Sequence, residues 1–70
     1  MTIEAEVTGT VWKILKKVGD SCEEEDTVMI LESMKMEIPV EVEESGSITK
    51  FYVQEGQAVK EGDALFDFEE

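Results

Sequence analysis

A lysine between two methionines is the feature of this chain whose residue types point most directly to chemistry. Lys35 is flanked by Met34 and Met36, and the next charged residues along the chain are Glu32 and Glu37. A lysine that forms Schiff bases by itself needs burial or neighbouring cations, and here the neighbours are anions. An enzyme that supplies an activated acyl group can still modify such an amine. Modification of Lys35 by another enzyme is therefore feasible, and we expect no catalytic residue in the chain.

The composition argues against several other functions. The 70 residues contain no histidine, and 18 Asp and Glu against 6 Lys and Arg give a net charge of -12. Without histidine the commonest general base and metal ligand are missing, so no metal site is expected. The negative charge disfavours nucleic acid and anionic membranes as partners, and no segment has the apolar length of a membrane span or the pattern of a signal peptide.

A single cysteine, Cys22, cannot form an internal disulfide, which is typical of a reducing compartment. The short chain has room for one modest core and little room for a catalytic cleft. We expect one domain over residues 1–70, monomeric and cytoplasmic.

An internal repeat organises the chain. The segment from Gly9 matches the segment from Gly46 at an offset of 37 residues. The matched pairs are Val11 with Ile48, Ile14 with Phe51, Leu15 with Tyr52, Gly19 with Gly56, Cys22 with Val59, Val28 with Leu65, Met29 with Phe66 and Leu31 with Phe68. Because Val and free Cys are both small core residues, Cys22 is predicted to be buried. Two copies are too few for a solenoid, so they predict one core shared across a pseudo-two-fold axis.

Short runs of Val, Ile, Phe and Tyr between glycine turns predict an all-β fold. The predicted strands are 2–6, 10–15, 27–32, 37–42, 47–53 and 64–68, with shorter ones at 21–23 and 58–60. The five glycines are expected at turns that need positive φ. Glu25 is the counterpart of Gly62, which predicts a different or strained backbone there. Pro39 lacks an amide hydrogen, so its strand is predicted to lie at a sheet edge.

The segment from Glu32 to Glu37 has no counterpart in the second copy, and it is therefore the place to seek function. It joins two predicted strands, so a tight hairpin is expected with Lys35 at or beside its tip. Methionine and lysine are not residues that turn geometry selects, since Gly, Asn, Asp and Pro are preferred. The alternative interpretation is that the methionines cover part of the core and that Lys35 is an ordinary solvated charge.

The segment Glu32-Ser33-Met34-Lys35-Met36-Glu37 resembles the Met-Lys-Met signature of biotinyl domains. The resemblance to the biotinyl/lipoyl attachment family extends along nearly the whole chain, through the glycine turns. It is similar both to small free-standing bacterial attachment proteins and to the carrier domain of biotin-dependent carboxylases. The family resemblance implies a flattened barrel, or barrel-sandwich hybrid, of two four-stranded antiparallel sheets. The termini would lie at one end and the modified lysine at the other.

The resemblance also implies a role for each residue of the signature. Lys35 would carry biotin in amide linkage, attached by a biotin protein ligase that uses ATP, and Met34 and Met36 would help enzymes to recognise the hairpin. The partners would then be the biotin carboxylase and carboxyltransferase components of a carboxylase system. The tethered cofactor would carry carboxylate between their active sites as a swinging arm.

Two other functions remain open at this point. Lipoyl domains share the fold, but in them an acidic residue usually precedes the lysine where this chain has Met34. Lipoate is therefore the alternative cofactor, and a domain that accepts both biotin and lipoate is a further alternative. The other alternative is an unmodified acidic protein-binding module. The acidic runs 23–26 and 41–44 could orient such a domain towards a basic partner, although runs of this kind are usually solvated turns.

Overall fold

The computed structural model describes residues 1–70 and consists of eight β-strands without a helix. The strands are β1 (Thr2–Glu4), β2 (Gly9–Ile14), β3 (Ser21–Cys22), β4 (Thr27–Ser33), β5 (Met36–Glu41), β6 (Gly46–Phe51), β7 (Ala58–Val59) and β8 (Ala64–Glu69). They form two antiparallel four-stranded sheets in the orders β1-β8-β6-β3 and β5-β4-β2-β7. The all-β prediction with two four-stranded sheets is confirmed. No helix of the length and hydrophobicity needed to span a bilayer occurs.

The two sheets have the same pairing pattern, displaced by 37 residues. In one sheet Val11 of β2 pairs with Leu31 of β4, and in the other Ile48 of β6 pairs with Phe68 of β8. The two short strands exchange between the copies, because β3 pairs with β6 and β7 pairs with β2. Each copy therefore completes the sheet of the other, which is how two short repeats form one core.

The repeat begins earlier than the sequence comparison from Gly9 indicates. Ile3 of β1 pairs with Phe66 just as Val40 of β5 pairs with Met29, so β1 is the counterpart of β5. The β4–β5 hairpin therefore has its equivalent at the chain termini. There the Met1 amine donates a 2.9 Å hydrogen bond to the carbonyl of Phe68, and no connecting turn is needed.

Thirteen buried residues form one hydrophobic cluster, and no charged or polar side chain is among them. Twelve of them form six equivalent pairs from the two copies: Ala5 and Val42, Val11 and Ile48, Cys22 and Val59, Val28 and Leu65, Met29 and Phe66, and Leu31 and Phe68. Val53 is the one without a buried counterpart. Cys22 is 3% exposed, and burial raises the pKa of its thiol. Its predicted packing role is confirmed.

Most strand ends agree with the prediction to within one residue, and two predicted strands end two residues too late. β1 ends at Glu4 rather than at residue 6, after a shift of register between Ile3 and Glu4. β6 ends at Phe51 rather than at residue 53, because the chain there leaves its sheet and crosses to β7 in the other one. Apolar periodicity continues through both places, which is why the sequence extends the strands too far.

The five glycines serve two purposes, not the single one expected. Gly19, Gly56 and Gly62 have φ between 88° and 93°, as predicted for turns. Gly9 and Gly46 lie instead where strands approach closely, and a Cβ on either would lie 2.2 Å from a backbone oxygen. These two positions need the absence of a side chain and not an unusual φ.

Two local predictions about non-glycine residues are confirmed. Glu25 adopts φ of 70°, close to the 93° of its counterpart Gly62, so the first copy keeps the same turn with a strained residue. Pro39 lies in β5, an edge strand, where its missing amide hydrogen is not needed by a neighbour. The edge position also places the β4–β5 hairpin at the border of its sheet.

Candidate functional site

Lys35 lies at the tip of a two-residue hairpin turn. Ser33 of β4 pairs with Met36 of β5, and only Met34 and Lys35 connect them. Both have positive φ, 53° for Met34 and 65° for Lys35. Positive φ at both central residues is the pattern of a type I′ turn, whose usual sequence is Asn-Gly. The predicted hairpin is confirmed, and it holds two side chains in a backbone conformation that costs about 1 kcal/mol or more per residue.

The side chains of the turn project into solvent. Met34 is 91% exposed, Met36 is 62% exposed and Lys35 is also exposed. Burial therefore explains neither methionine, and the alternative in which they cover the core is wrong. The exposure of both methionines and the strain of the turn are therefore not explained by the stability of the fold.

The base of the hairpin is held by Thr8 and by Gly9, the first residue of β2. The hydroxyl of Ser33 donates a 2.7 Å hydrogen bond to the carbonyl oxygen of Thr8. Next to it, a Cβ on Gly9 would be 2.2 Å from the carbonyl oxygen of Glu32 and 3.2 Å from the Cβ of Ser33. The sequence does not reveal this support, although the match between Gly9 and Gly46 marks the position.

The charge next to the turn is negative. Glu32 and Glu37 are directly opposite each other in β4 and β5, and both are exposed. Like charges directly opposite in a sheet are destabilising, so this pair does not support the hairpin. Lys35 forms no salt bridge, since the one ion pair in the structure joins Lys16 and Asp26 at 3.5 Å. The ammonium group is thus held by no partner within the chain.

The two acidic runs noted in the sequence meet away from the hairpin. The Glu25 amide donates to the carbonyl of Val42, which joins the run 23–26 to the run 41–44. Within the first run, the Asp26 carboxylate accepts a 2.8 Å hydrogen bond from the Glu23 amide. That hydrogen bond, with a smaller contribution from Lys16, lowers the pKa of Asp26. Asp26 is therefore engaged in the turn, as the solvated-turn interpretation requires.

The family of the chain follows from its similarity to known proteins. The family model described as "Biotin-requiring enzyme", for biotin/lipoyl attachment domains, matches residues 1–68. The chain belongs to the biotin/lipoyl attachment family. The Bacillus subtilis biotin/lipoyl attachment protein is 43% identical over 67 residues, which are 96% of this chain and 92% of that protein. The Streptococcus mutans biotin carboxyl carrier protein is 41% identical, and the chain spans 49% of its length.

Solved structures give the same assignment. A carrier-sized part of the Kluyveromyces lactis urea carboxylase superposes with a TM-score of 0.87 and 36% identity, covering 94% of this chain and 6% of that one. A single-chain, multi-domain long-chain acyl-CoA carboxylase gives a TM-score of 0.92 at 26% identity over 97% of this chain and 7% of its own. The chain thus corresponds to a small part of these large enzymes, and as a member of the attachment family it is a carrier domain.

The geometry of the hairpin is suited to a tethered group. A primary amine on a four-carbon stem projects from a sheet that is fixed by a shared core, and nothing in the chain competes for it. A long cofactor attached there would be free to move, while its point of attachment would not. Taken with the family, this arrangement makes Lys35 the candidate attachment residue, with Met34 and Met36 beside it.

Proposed function

We propose that Lys35 is the biotin acceptor of this carrier domain and that a biotin protein ligase attaches the cofactor there. The observation that carries the proposal is the position of Lys35 at the second residue of a strained, exposed two-residue turn. In the attachment step the Lys35 amine loses a proton and attacks the activated carboxyl carbon of biotin. The bond from that carbon to the adenylate supplied by ATP breaks and AMP leaves, while the nitrogen loses a second proton as the amide bond forms.

Met34 and Met36 are proposed to be the contacts by which enzymes recognise the turn. Their unbranched thioether side chains adapt to different apolar surfaces, and both are solvated in the free chain. Burying either against an enzyme removes apolar surface from water, which favours binding. The strained turn fixes the direction in which these side chains leave the backbone, so less order has to be imposed when the enzyme binds.

The carrier contributes tethering, and we propose that it contributes no catalytic group. Bound biotin supplies the capacity to accept carboxylate at one partner active site and to deliver it at another. The chain keeps the cofactor near both sites, and a short tether gives effective concentrations on the order of millimolar. The pyruvate carboxylase of Bacillus subtilis and the urea carboxylase of Kluyveromyces lactis contain domains similar to this chain. They support biotin carboxylase and carboxyltransferase components as the partners.

Lipoate is the second candidate cofactor, because the relative in Bacillus subtilis is named for both biotin and lipoyl attachment. Biotin is favoured by the carboxylase and carboxyl carrier relatives. The third possibility, an unmodified acidic binding module, leaves the strain of Met34 and Lys35 without a reason.

The experiment is a streptavidin blot of the denatured chain purified from cells that contain biotin ligase, with Lys35→Ala as the test variant. Lys50→Ala is the control, since Lys50 is also exposed but lies in strand β6 and not in the hairpin turn. We expect the wild type and the Lys50 variant to be labelled and the Lys35 variant to be unlabelled. Labelling of the Lys35 variant would show that the acceptor is elsewhere. If the wild type is unlabelled and intact mass spectrometry shows an adduct of the mass of a lipoyl group, lipoate is the cofactor.

A further inference from the structure

The outer faces of the two sheets differ at four positions that the internal symmetry makes equivalent. On the sheet without the hairpin the residues are polar: Thr2, Thr49, Tyr52 and Asp67. On the sheet with the hairpin their counterparts are apolar, and we call them the outer patch: Pro39, Trp12, Leu15 and Ile30.

Three of the four polar residues, Thr2, Tyr52 and Asp67, hydrogen-bond to one another within the chain. The Asp67 carboxylate accepts hydrogen bonds of 2.6 Å from the Thr2 hydroxyl and 2.7 Å from the Tyr52 hydroxyl. These contacts also show that the three positions adjoin one another on the surface. Among their counterparts, Ile30 pairs directly with Pro39 across β4 and β5, and Leu15 follows the end of β2, the strand that pairs with β4 on its other side.

Trp12 extends this apolar surface at a β-bulge. The register of β2 against β4 shifts between Val11 and Lys13, and β6 has the same shift at Thr49. Val11 is fully buried, whereas Trp12 is 43% exposed, with the Lys13 ammonium 5.5 Å from the centre of its ring. Since the fold accommodates threonine at the equivalent bulge, folding does not require a tryptophan at this one.

The outer patch is continuous with the hairpin. Ile30 lies three residue steps along β4 from Ser33 at the turn, a distance of about 10 Å. Glu32 and Glu37 lie on the same face between them, because side chains alternate along a strand. A protein that covers the turn on this side therefore also meets the outer patch.

We propose that the outer patch is the docking surface of the enzyme that acylates Lys35, with Trp12 as its anchor. The inference rests on the proposed function and adds how the acceptor is selected. Before modification there is no cofactor to recognise, so the ligase has to choose Lys35 from surface features alone. Exposure does not distinguish it, since four other lysines are exposed: Lys13, Lys17, Lys50 and Lys60. Enzymes that act later can recognise the cofactor itself.

The charged residues beside the outer patch indicate which groups a complementary enzyme surface would carry. The partner would present an apolar depression for Trp12, an acidic group facing Lys13 and a basic group facing Glu32 and Glu37. An indole that enters such a depression excludes water over a large area, and tryptophan is enriched among residues that dominate binding energy. The matched bulge keeps the charges, with Lys50 equivalent to Lys13 and Glu69 equivalent to Glu32, but it has Thr49 in place of the indole.

The test measures biotinylation kinetics of the unmodified full chain with biotin protein ligase, ATP and biotin while the concentration of the carrier is varied. Trp12→Thr and Pro39→Thr are the test variants, and each introduces the residue found at the equivalent position of the other sheet. Thr49→Ala is the control at the symmetry-related bulge. Circular dichroism establishes that each variant is folded.

We expect Trp12→Thr to raise the KM for the carrier about tenfold with kcat little changed, and Pro39→Thr to raise it less. Thr49→Ala should leave both constants as in the wild type. Wild-type KM in folded Trp12→Thr and Pro39→Thr would overturn the proposal, as would normal biotinylation combined with a loss of carboxylation by a later enzyme. If Trp12→Thr does not fold, Pro39→Thr decides. An unlabelled wild type would instead refute the proposed function.

Discussion

Replacing Gly9 by alanine tests whether the base of the hairpin positions the turn. The added Cβ would lie 2.2 Å from the carbonyl oxygen of Glu32, while a carbon and a carbonyl oxygen normally come no closer than about 3.3 Å. Because the obstacle is backbone, β4 has to move by about 1 Å, and forced insertions of this kind cost about 1–3 kcal/mol. Alanine recovers about 0.4–1 kcal/mol by restricting the unfolded chain. The net loss is about 1–2 kcal/mol.

This loss should lower the Tm by about 4–16 °C in a domain of this size. The labelling of Lys35 should suffer more than stability alone explains. The displaced segment carries Ser33, whose hydroxyl fixes the turn to Thr8, and a misplacement of about 1 Å can cost up to about a hundredfold in rate. The assay is the initial rate of biotinylation at a temperature where the variant is fully folded.

Gly46→Ala is the matched control at the symmetry-related position. Its Cβ would meet the carbonyl oxygen of Glu69 at 2.2 Å and Cζ of Phe68 at 2.7 Å, so its loss of stability should be at least as large. It acts near the chain termini and should leave biotinylation unchanged. Equal labelling rates for the two folded variants would refute the reasoning, because the hairpin would then not depend on its base.

Three further predictions concern stability. Glu25→Gly should stabilise the fold by about 0.5–1 kcal/mol in chemical denaturation, since relief of positive φ exceeds the added freedom of the unfolded chain. Hydrogen bonds from Thr2 and Tyr52 lower the pKa of Asp67. The ionised carboxylate should therefore add to the free energy of unfolding above about pH 4, and this contribution should be lost as the pH falls further. Met34→Gly should also stabilise by about 0.5–1 kcal/mol while slowing biotinylation.

Each of these has a control or an outcome that contradicts it. Gly62→Ala should destabilise where Glu25→Gly stabilises, because its Cβ would meet no atom within 4 Å and only φ is strained. Above about pH 4 Asp67→Asn should be less stable than the wild type, and the difference in their free energies of unfolding should shrink below about pH 4. A difference that stays constant with pH would contradict the assignment. If Met34→Gly is biotinylated at the wild-type rate, the methionine does not contribute to recognition.

The symmetric part of the fold is readable from the sequence because core residues repeat with the same spacing. Val11 and Ile48, or Cys22 and Val59, occupy equivalent buried positions, so apolar type alone indicates the alignment. The counterpart of β5 is harder to find, since β1 has only three residues and Ile3 is the one that packs against the core. Exchange of β3 and β7 between the sheets leaves no local signal, because it depends on how the two copies pack.

Only part of the candidate site can be predicted from the sequence. The position of Lys35 at a hairpin tip follows from the unmatched segment between two strands, and its surroundings do not. Support by Thr8 and Gly9 is invisible because these residues are distant from Ser33 in sequence and meet it only when β2 pairs with β4. The outer patch is hidden for a related reason: Trp12 looks like a core aromatic until the bulge turns it outward.

The central claim is that one amine, that of Lys35, receives the cofactor. Peptide mapping by mass spectrometry of the natively expressed chain tests it most directly, with Lys35→Arg to keep the positive charge. We expect a biotinyl adduct on the peptide that contains Met34-Lys35-Met36 and no adduct on the variant. An adduct on any other lysine, or a natively expressed chain without one, would contradict it.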